Sequence, residues 1–128
     1  MRVFGIAGYS GSGKTTLIEK LLVELTRRGL RVSVIKHAHH GFDIDRPGKD
    51  SYRHRDAGAS EVMIASGERW ALLHELRSAT EPGLSDYLAR FSACDLVLVE
   101  GFKSEPIPQL EVHRAANGKP FRNLLKIA

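Results

Sequence analysis

The stretch Gly8-Tyr9-Ser10-Gly11-Ser12-Gly13-Lys14-Thr15 decides the fold of this chain. It matches the pattern G-x-x-x-x-G-K-[ST], the loop that wraps nucleotide phosphates in P-loop proteins. A short apolar run, Val3–Ala7, precedes it and predicts a buried strand, and a helical pattern follows from Thr15 to Arg28. Strand, loop and helix in this order are the context that the motif requires.

Each residue type in the loop has a physical task. Glycines let the backbone bend sharply, so that backbone N–H groups form a concave nest for phosphate oxygens. The following helix adds unpaired N–H groups and the positive end of its dipole. We expect Lys14 to reach the β- and γ-phosphates as a catalytic residue, and the Thr15 hydroxyl to hold Mg²⁺. A glycine-rich turn that binds nothing is the alternative, which the full match disfavours. The predicted nucleotide-binding residues are Gly8, Ser10, Gly11, Ser12, Gly13, Lys14, Thr15 and Thr16.

Length and composition predict one nucleotide-binding domain over residues 1–128. The chain is 42% hydrophobic and 27% charged, as in ordinary globular proteins. Its net charge of +4 favours anionic partners such as nucleotides, but no basic block carries interleaved aromatics, so we expect no nucleic acid. Cys94 is the single cysteine, which suits a reducing cytoplasm. We find no secretory signal and no run long enough to cross a bilayer, so we expect no membrane.

The pattern along the chain predicts an α/β fold of the P-loop NTPase type, with a largely parallel, twisted sheet and flanking helices. A turn at residues 66–68 between two strand patterns predicts an antiparallel hairpin extension, which would make the sheet mixed. Trp70, on the second hairpin strand, is expected in the core or at a dimer contact. Further strands are predicted at Val32–Lys36, Glu61–Ala65, Arg69–Glu75, Asp95–Glu100, Leu110–Arg114 and Leu124–Ala128. One short helix is predicted to begin at Asp50 or Ser51 and to end at Gly58, and another to run from Leu84 to Phe91.

Glu100 ends the second strong signal in the sequence. Leu96–Val99 is a continuous apolar run, typical of a central parallel strand buried on both faces. A carboxylate followed by Gly101 at the end of such a strand has the form of a Walker B motif. We therefore expect Glu100 beside the loop as a catalytic residue that holds Mg²⁺ directly or through water. A surface acid at a strand end is the alternative.

A polar stretch from Lys36 to Ser51 begins where a predicted parallel strand ends, the edge at which open α/β sheets place ligands. Its imidazoles could hold a transition metal, contact a phosphate or a cofactor, or belong to a solvated loop. Its cations could grip a second anion or cover a solvated helix face. The predicted residues of this second anion or cofactor site are His37, His39, His40, Asp45, Lys49 and Arg53.

Three segments together resemble one known family. They are Gly8–Leu17, Ile35–Ser51 with its unusual Lys-His-x-His-His and Pro-Gly-Lys-Asp-Ser, and Leu98–Lys103. The chain resembles the MobB family, the GTP-binding adaptors of molybdopterin-guanine dinucleotide biosynthesis. The resemblance implies a protein that binds GTP with Mg²⁺, hydrolyses it weakly and forms a homodimer. It also implies a role in assisting the guanylyltransferase that joins GMP to molybdopterin.

The sequence is also compatible with two functions other than that of a GTP-binding adaptor. A small P-loop kinase or ligase would use the stretch 37–51 as its acceptor site, and a metallochaperone GTPase would use the histidines. No Asn-Lys-x-Asp box is present, so guanine preference rests on the resemblance. Members of the family usually continue past the strand predicted at Leu124–Ala128, so we expect a C-terminus shorter than theirs, with a guanine-reading segment either missing or supplied by the dimer partner.

Overall fold

The computed structural model describes residues 1–9, 11–38, 49–102 and 104–113. These residues belong to two compact units, each considered by itself. The sheet unit comprises Met1–His39 and Gly83–Ala128, and the hairpin unit comprises His40–Pro82. In chain order the elements are β1 (Arg2–Ala7), α1 (Lys14–Arg27), β2 (Val32–Lys36), α2 (Asp50–Asp56), β3 (Glu61–Ala65), β4 (Trp70–His74), α3 (Leu84–Leu88), β5 (Leu96–Glu100) and β6 (Gln109–Glu111). The prediction of one domain over residues 1–128 stays a prediction.

The sheet unit contains a four-stranded sheet in the order β2-β5-β1-β6. All three strand pairs are parallel. The predicted α/β fold with a largely parallel sheet and flanking helices is therefore confirmed. The hairpin does not extend this sheet, because β3 and β4 form a separate two-stranded sheet among the described residues.

β5 is buried on both faces, as its apolar run predicts. Leu98 packs on one face with Ile6 and Ile18, so that this cluster lies between the sheet and α1. Val97 and Val99 pack on the opposite face with Leu84 of α3. Val97, Leu98 and Val99 are each at most 1% exposed. Successive side chains of a strand point to opposite faces, so one four-residue run supplies both halves of the core.

Two predicted elements end three residues earlier in the structure. The helix predicted at 84–91 ends at Leu88, and the N–H of Phe91 bonds to the Leu88 carbonyl three residues back, the tighter pattern of a closing turn. The strand predicted at Leu110–Arg114 begins at Gln109 and ends at Glu111. It stops there because its partner β1 ends at Ala7, to whose carbonyl Val112 donates a last hydrogen bond. The strand predicted at Leu124–Ala128 lies outside the described residues.

The hairpin unit confirms the predicted antiparallel pair. Ala65 is paired with Trp70 across the turn, and the Ser66 hydroxyl accepts hydrogen bonds from the N–H groups of Glu68 and Arg69, each at 3.2 Å. Trp70 is 68% exposed, so its expected place in the core is wrong, and the dimer contact stays a prediction. It lies on a strand of a two-stranded sheet, which has too little breadth to cover a ring of that size.

Candidate functional site

The carboxyl edge of the parallel sheet brings together several predicted site residues that the structure describes. Glu100 is level with Ile6 on one neighbouring strand and with Lys36 on the other. The glycine-rich loop, residues 8–15, follows β1 directly, and His37 follows β2. The parallel register thus places the start of the loop, the Glu100 carboxylate and His37 along one edge, where ligands bind in open α/β sheets.

The loop makes a close approach at Gly8 that only glycine permits. The Gly8 φ is +151°, and a Cβ there would lie 2.5 Å from the Val112 carbonyl oxygen and 2.8 Å from the Ser12 hydroxyl. The N–H of Ser12 donates to the Tyr9 carbonyl at 3.1 Å, which closes a tight turn inside the loop. Val112, directly after β6, therefore packs closely against the loop through its backbone.

Lys14 is the first residue of α1 and turns back toward the loop. Its ammonium group donates a hydrogen bond of 2.6 Å to the Gly8 carbonyl oxygen. α1 has no side-chain N-cap and no acidic residue in its first turn. The N–H groups of the first turn and the positive end of the helix dipole thus remain open to an anion beside the ammonium group.

Two hydroxyl groups of the motif lie in contrasting environments. Ser12 is 7% exposed, and its buried oxygen has no hydrogen-bond partner in the described part of the chain. Thr15, like Thr16, is exposed on the first turn of α1. The Thr15 hydroxyl is therefore accessible to a ligand or a metal ion, whereas the Ser12 hydroxyl is enclosed by the loop.

Glu100 is a largely buried acid, 9% exposed. No described cationic side chain forms an ion pair with it, although buried charges in proteins are usually paired or coordinate a metal ion. A carboxylate together with the Thr15 hydroxyl is an all-oxygen donor set of the kind that Mg²⁺ takes, alongside phosphate oxygens and water. These residues therefore fit a magnesium ion held jointly with a nucleotide.

His37 is fixed at this edge by both backbone and ring contacts. Its N–H donates to the Glu100 carbonyl at 2.9 Å, and its imidazole lies against the Phe102 ring with centroids 4.6 Å apart. Sequence reasoning did not select Phe102 as a site residue. Gly101 directly after the buried strand was the signal that could have indicated a sharp turn there.

Two other predicted site residues belong to the hairpin unit. Lys49 and Arg53 are exposed and belong to the hairpin unit, at the start of α2 and within it. Ser10, His39, His40 and Asp45 lie outside the described residues. Within residues 1–9, 11–38, 49–102 and 104–113, no group of three or more His, Cys, Asp or Glu could hold a metal ion.

In the hairpin unit, Arg55 takes part in a different cluster. It forms an ion pair with Glu75 at 2.9 Å and lies 5.1 Å from the centroid of the Tyr52 ring. Arg77 donates to the carbonyl oxygens of Arg55 and Ala59, both at 3.1 Å, and so bonds to backbone acceptors at the end of α2. These contacts hold α2 to the segment after β4. Over the residues described, no helix is long and apolar enough to cross a membrane.

Known proteins are similar to this chain in sequence and in fold. A family model described as "Molybdopterin guanine dinucleotide synthesis protein B" (MobB) matches residues 3–127. The molybdopterin-guanine dinucleotide biosynthesis adapter protein of Haemophilus influenzae is 54% identical over 122 residues, which cover 93% of this chain and 67% of the relative. The chain thus spans about two thirds of that relative's length.

Two solved structures have a fold similar to that of this chain. The chain superimposes on Bacillus subtilis MobB with a TM-score of 0.74 and 26% identity, covering 99% of this chain and 76% of the other. It superimposes on a MobB homolog from Bacillus stearothermophilus with a TM-score of 0.63 and 32% identity, covering 88% of this chain and 63% of the other. Because the family model matches residues 3–127, almost the whole of this chain, the chain belongs to the MobB family.

Proposed function

We propose that this protein binds GTP with Mg²⁺ on the glycine-rich loop and serves as an adaptor in the guanylylation of molybdopterin. The position of Lys14 is the main support for a nucleotide site. Its ammonium group lies 2.6 Å from the Gly8 carbonyl oxygen, at the start of α1, which has no side-chain N-cap. A phosphate bound here would accept hydrogen bonds from the ammonium group and from the backbone N–H groups of the first helical turn.

The Thr15 hydroxyl and the Glu100 carboxylate would hold the magnesium ion. When bound, the ion supplies charge neutralisation for the terminal phosphates. The chain's own residues would do the rest: Lys14 and the loop N–H groups bind and orient the phosphate oxygens, and the buried base of the loop excludes water from one side.

We infer that any hydrolysis of GTP is slow. Fast hydrolysis requires a side chain that orients the attacking water, commonly a glutamine. Gln109 is the one glutamine of the sequence, and its amide donates to the Glu105 carbonyl at 2.9 Å in the loop before β6. A binding and positioning role therefore fits this site better than rapid turnover.

The names of the relatives support a role for this chain in molybdopterin-guanine dinucleotide biosynthesis. The Haemophilus influenzae relative is called an adapter protein of molybdopterin-guanine dinucleotide biosynthesis. For this chain we propose the same role, acting as a cytoplasmic homodimer with a molybdenum cofactor guanylyltransferase as partner and molybdopterin as the acceptor of GMP. The comparisons support this role and give no support to the kinase or ligase alternative.

Titration calorimetry tests the proposal directly. GTP and ATP are titrated with and without Mg²⁺ into the wild type, into Lys14→Ala and into Lys20→Ala, a matched lysine on the exposed side of α1. We expect Mg²⁺-dependent binding of GTP that ATP does not equal, lost in Lys14→Ala and kept in Lys20→Ala. Stimulation of a guanylyltransferase by the wild type alone would then support the adaptor role. Preference for ATP would overturn the GTP assignment.

A further inference from the structure

Phe102 adopts a backbone conformation that a phenylalanine rarely takes. Its φ is +51°, in the left-handed region, and Gly101 before it has a φ of +92°. Residues other than glycine persist in this region only where the surrounding structure determines it, and such residues cluster at functional sites. The turn lies directly after Glu100, at the carboxyl edge of the sheet.

Contacts on two sides hold the Phe102 ring in place. It packs against the core cluster of Leu84, Val97 and Val99. The ring of Tyr87 on α3 meets it edge-on, with centroids 6.1 Å apart and an interplanar angle of 62°. The left-handed turn thus directs the ring back onto the core instead of into solvent.

The same ring meets the imidazole of His37. The two centroids are 4.6 Å apart and the planes are inclined at 37°. The close packing of His37 against the turn requires glycine at position 101, because a Cβ there would lie 3.0 Å from the His37 Cβ. The His37 backbone is held separately, by the hydrogen bond from its N–H to the Glu100 carbonyl. Phe102 therefore restricts the side chain of a residue whose backbone is already fixed.

His37 lies on the opposite side of Glu100 from the glycine-rich loop. β5 separates β2 from β1, so the two ends are about 10 Å apart, two strand spacings. A nucleotide whose inner phosphates lie in the loop would extend its terminal phosphate over Glu100, toward His37. An imidazole N–H at that place can donate to a phosphate oxygen.

We propose that Phe102 is a positioning residue that orients the His37 imidazole toward the terminal phosphate of bound GTP. The proposal rests on the GTP site proposed above. It predicts that His37 and Phe102 distinguish GTP from GDP, because only GTP carries the phosphate that reaches His37.

Calorimetric titration of GTP·Mg²⁺ and of GDP·Mg²⁺ into single and double variants tests this. We expect Phe102→Leu and His37→Ala each to weaken GTP binding about tenfold, the loss of one charge-assisted hydrogen bond, and to leave GDP binding within about twofold of the wild type. The double variant should bind GTP no more weakly than His37→Ala, since Phe102 acts through His37. Phe102→Tyr, which keeps the ring, should bind like the wild type.

Phe91→Leu is the matched control, because Phe91 packs against the same core cluster but lies beyond the end of α3. It should leave the affinities for both nucleotides unchanged. Unaltered GTP binding in Phe102→Leu would overturn the proposal, and so would equal losses for GTP and GDP or additive losses in the double variant.

A nucleotide-free measurement keeps the two proposals separate. In NMR spectra of the apo protein, the ring-proton resonances of His37 should shift in Phe102→Leu, which removes the adjacent aromatic ring, and stay in place in Phe91→Leu. If the wild type binds no GTP, the proposed GTP site is wrong, and the proposed role of His37 and Phe102 at the terminal phosphate is wrong as well. If the wild type binds GTP while the His37 resonances do not respond to Phe102→Leu, only the positioning role is wrong.

Discussion

The ammonium nitrogen of Lys14 lies 2.6 Å from the carbonyl oxygen of Gly8, six residues earlier in the chain. This hydrogen bond joins the start of the glycine-rich loop to the start of α1. The side chain is thereby held beside the open N–H groups of the first helical turn before any ligand arrives. A bound phosphate would offer the ammonium group a charged acceptor, which makes a stronger hydrogen bond than a neutral carbonyl.

Replacing Lys14 with alanine should weaken nucleotide binding and leave the fold intact. We expect GTP affinity to fall by about tenfold to a hundredfold, the loss of a hydrogen bond between two charged groups. The free energy of unfolding should change by less than about 1 kcal/mol, because the lost bond to Gly8 is half-exposed. Calorimetry and urea unfolding give the two quantities, with Lys20→Ala as control. Wild-type affinity in Lys14→Ala would contradict the assignment of the loop.

Gly8→Ala should destabilise the protein. The added Cβ would meet the Val112 carbonyl at 2.5 Å and the Ser12 hydroxyl at 2.8 Å, and the backbone has a φ of +151°. We expect a loss of about 2 kcal/mol or more in the free energy of unfolding, measured by urea titration. Gly67→Ala is the control, because a Cβ in the hairpin turn would meet nothing within 4 Å. Equal stability of the two variants would show that the backbone of Val112 does not pack on the loop.

Ser12→Ala should be tolerated by the apo protein. The Ser12 oxygen is buried and has no partner in the part of the chain described, so alanine removes an unsatisfied polar atom. We expect the free energy of unfolding to stay within about 0.5 kcal/mol or to rise. Ser12→Val, which adds volume beside Gly8, should lose about 1 kcal/mol or more. A large loss in Ser12→Ala would mean that the hydroxyl has a partner after all.

Glu100→Gln should remove the effect of Mg²⁺ on GTP binding while preserving the fold. The amide keeps the shape of the side chain at a position that is 9% exposed, but it lacks the charge that holds a divalent ion. Calorimetry at several Mg²⁺ concentrations should show a Mg²⁺-dependent affinity in the wild type and a flat response in the variant. Glu68→Gln, in the exposed hairpin turn, should respond as the wild type does.

Leu98→Ala should be the most destabilising of these substitutions. Leu98 is 1% exposed and packs between Ile6 and Ile18. We expect a loss of about 3 kcal/mol from the removed apolar contacts and the cavity left behind. Val23→Ala, at a position on α1 that is 69% exposed, should cost less than about 0.5 kcal/mol. Thermal or urea unfolding of the pair provides the test, and similar stabilities would place Leu98 outside the core.

Local sequence patterns predict most of the described helices and strands of this protein, and they indicate a phosphate-binding chemistry at one of its loops. β2 and β3 have the bounds that the patterns predict, and β5 is buried on both faces as an unbroken apolar run requires. Such features are local, because periodicity, turn residues and the eight-residue motif depend on neighbours in the chain. Membership of the MobB family was predictable for the same reason, from short stretches of unusual residues.

Only the tertiary structure decided which residues meet. Nothing local in the sequence states that β5 lies between β2 and β1, yet this order places Glu100 between His37 and the glycine-rich loop. The contact of Phe102 with His37 joins residues 65 positions apart, through a left-handed turn that no propensity of phenylalanine predicts. Trp70 shows the converse, because its strand is predicted correctly from the sequence while the side chain, expected in the core, is 68% exposed. The physical reason is the same in each case: strand order and side-chain contacts arise from long-range packing, which local sequence patterns do not encode.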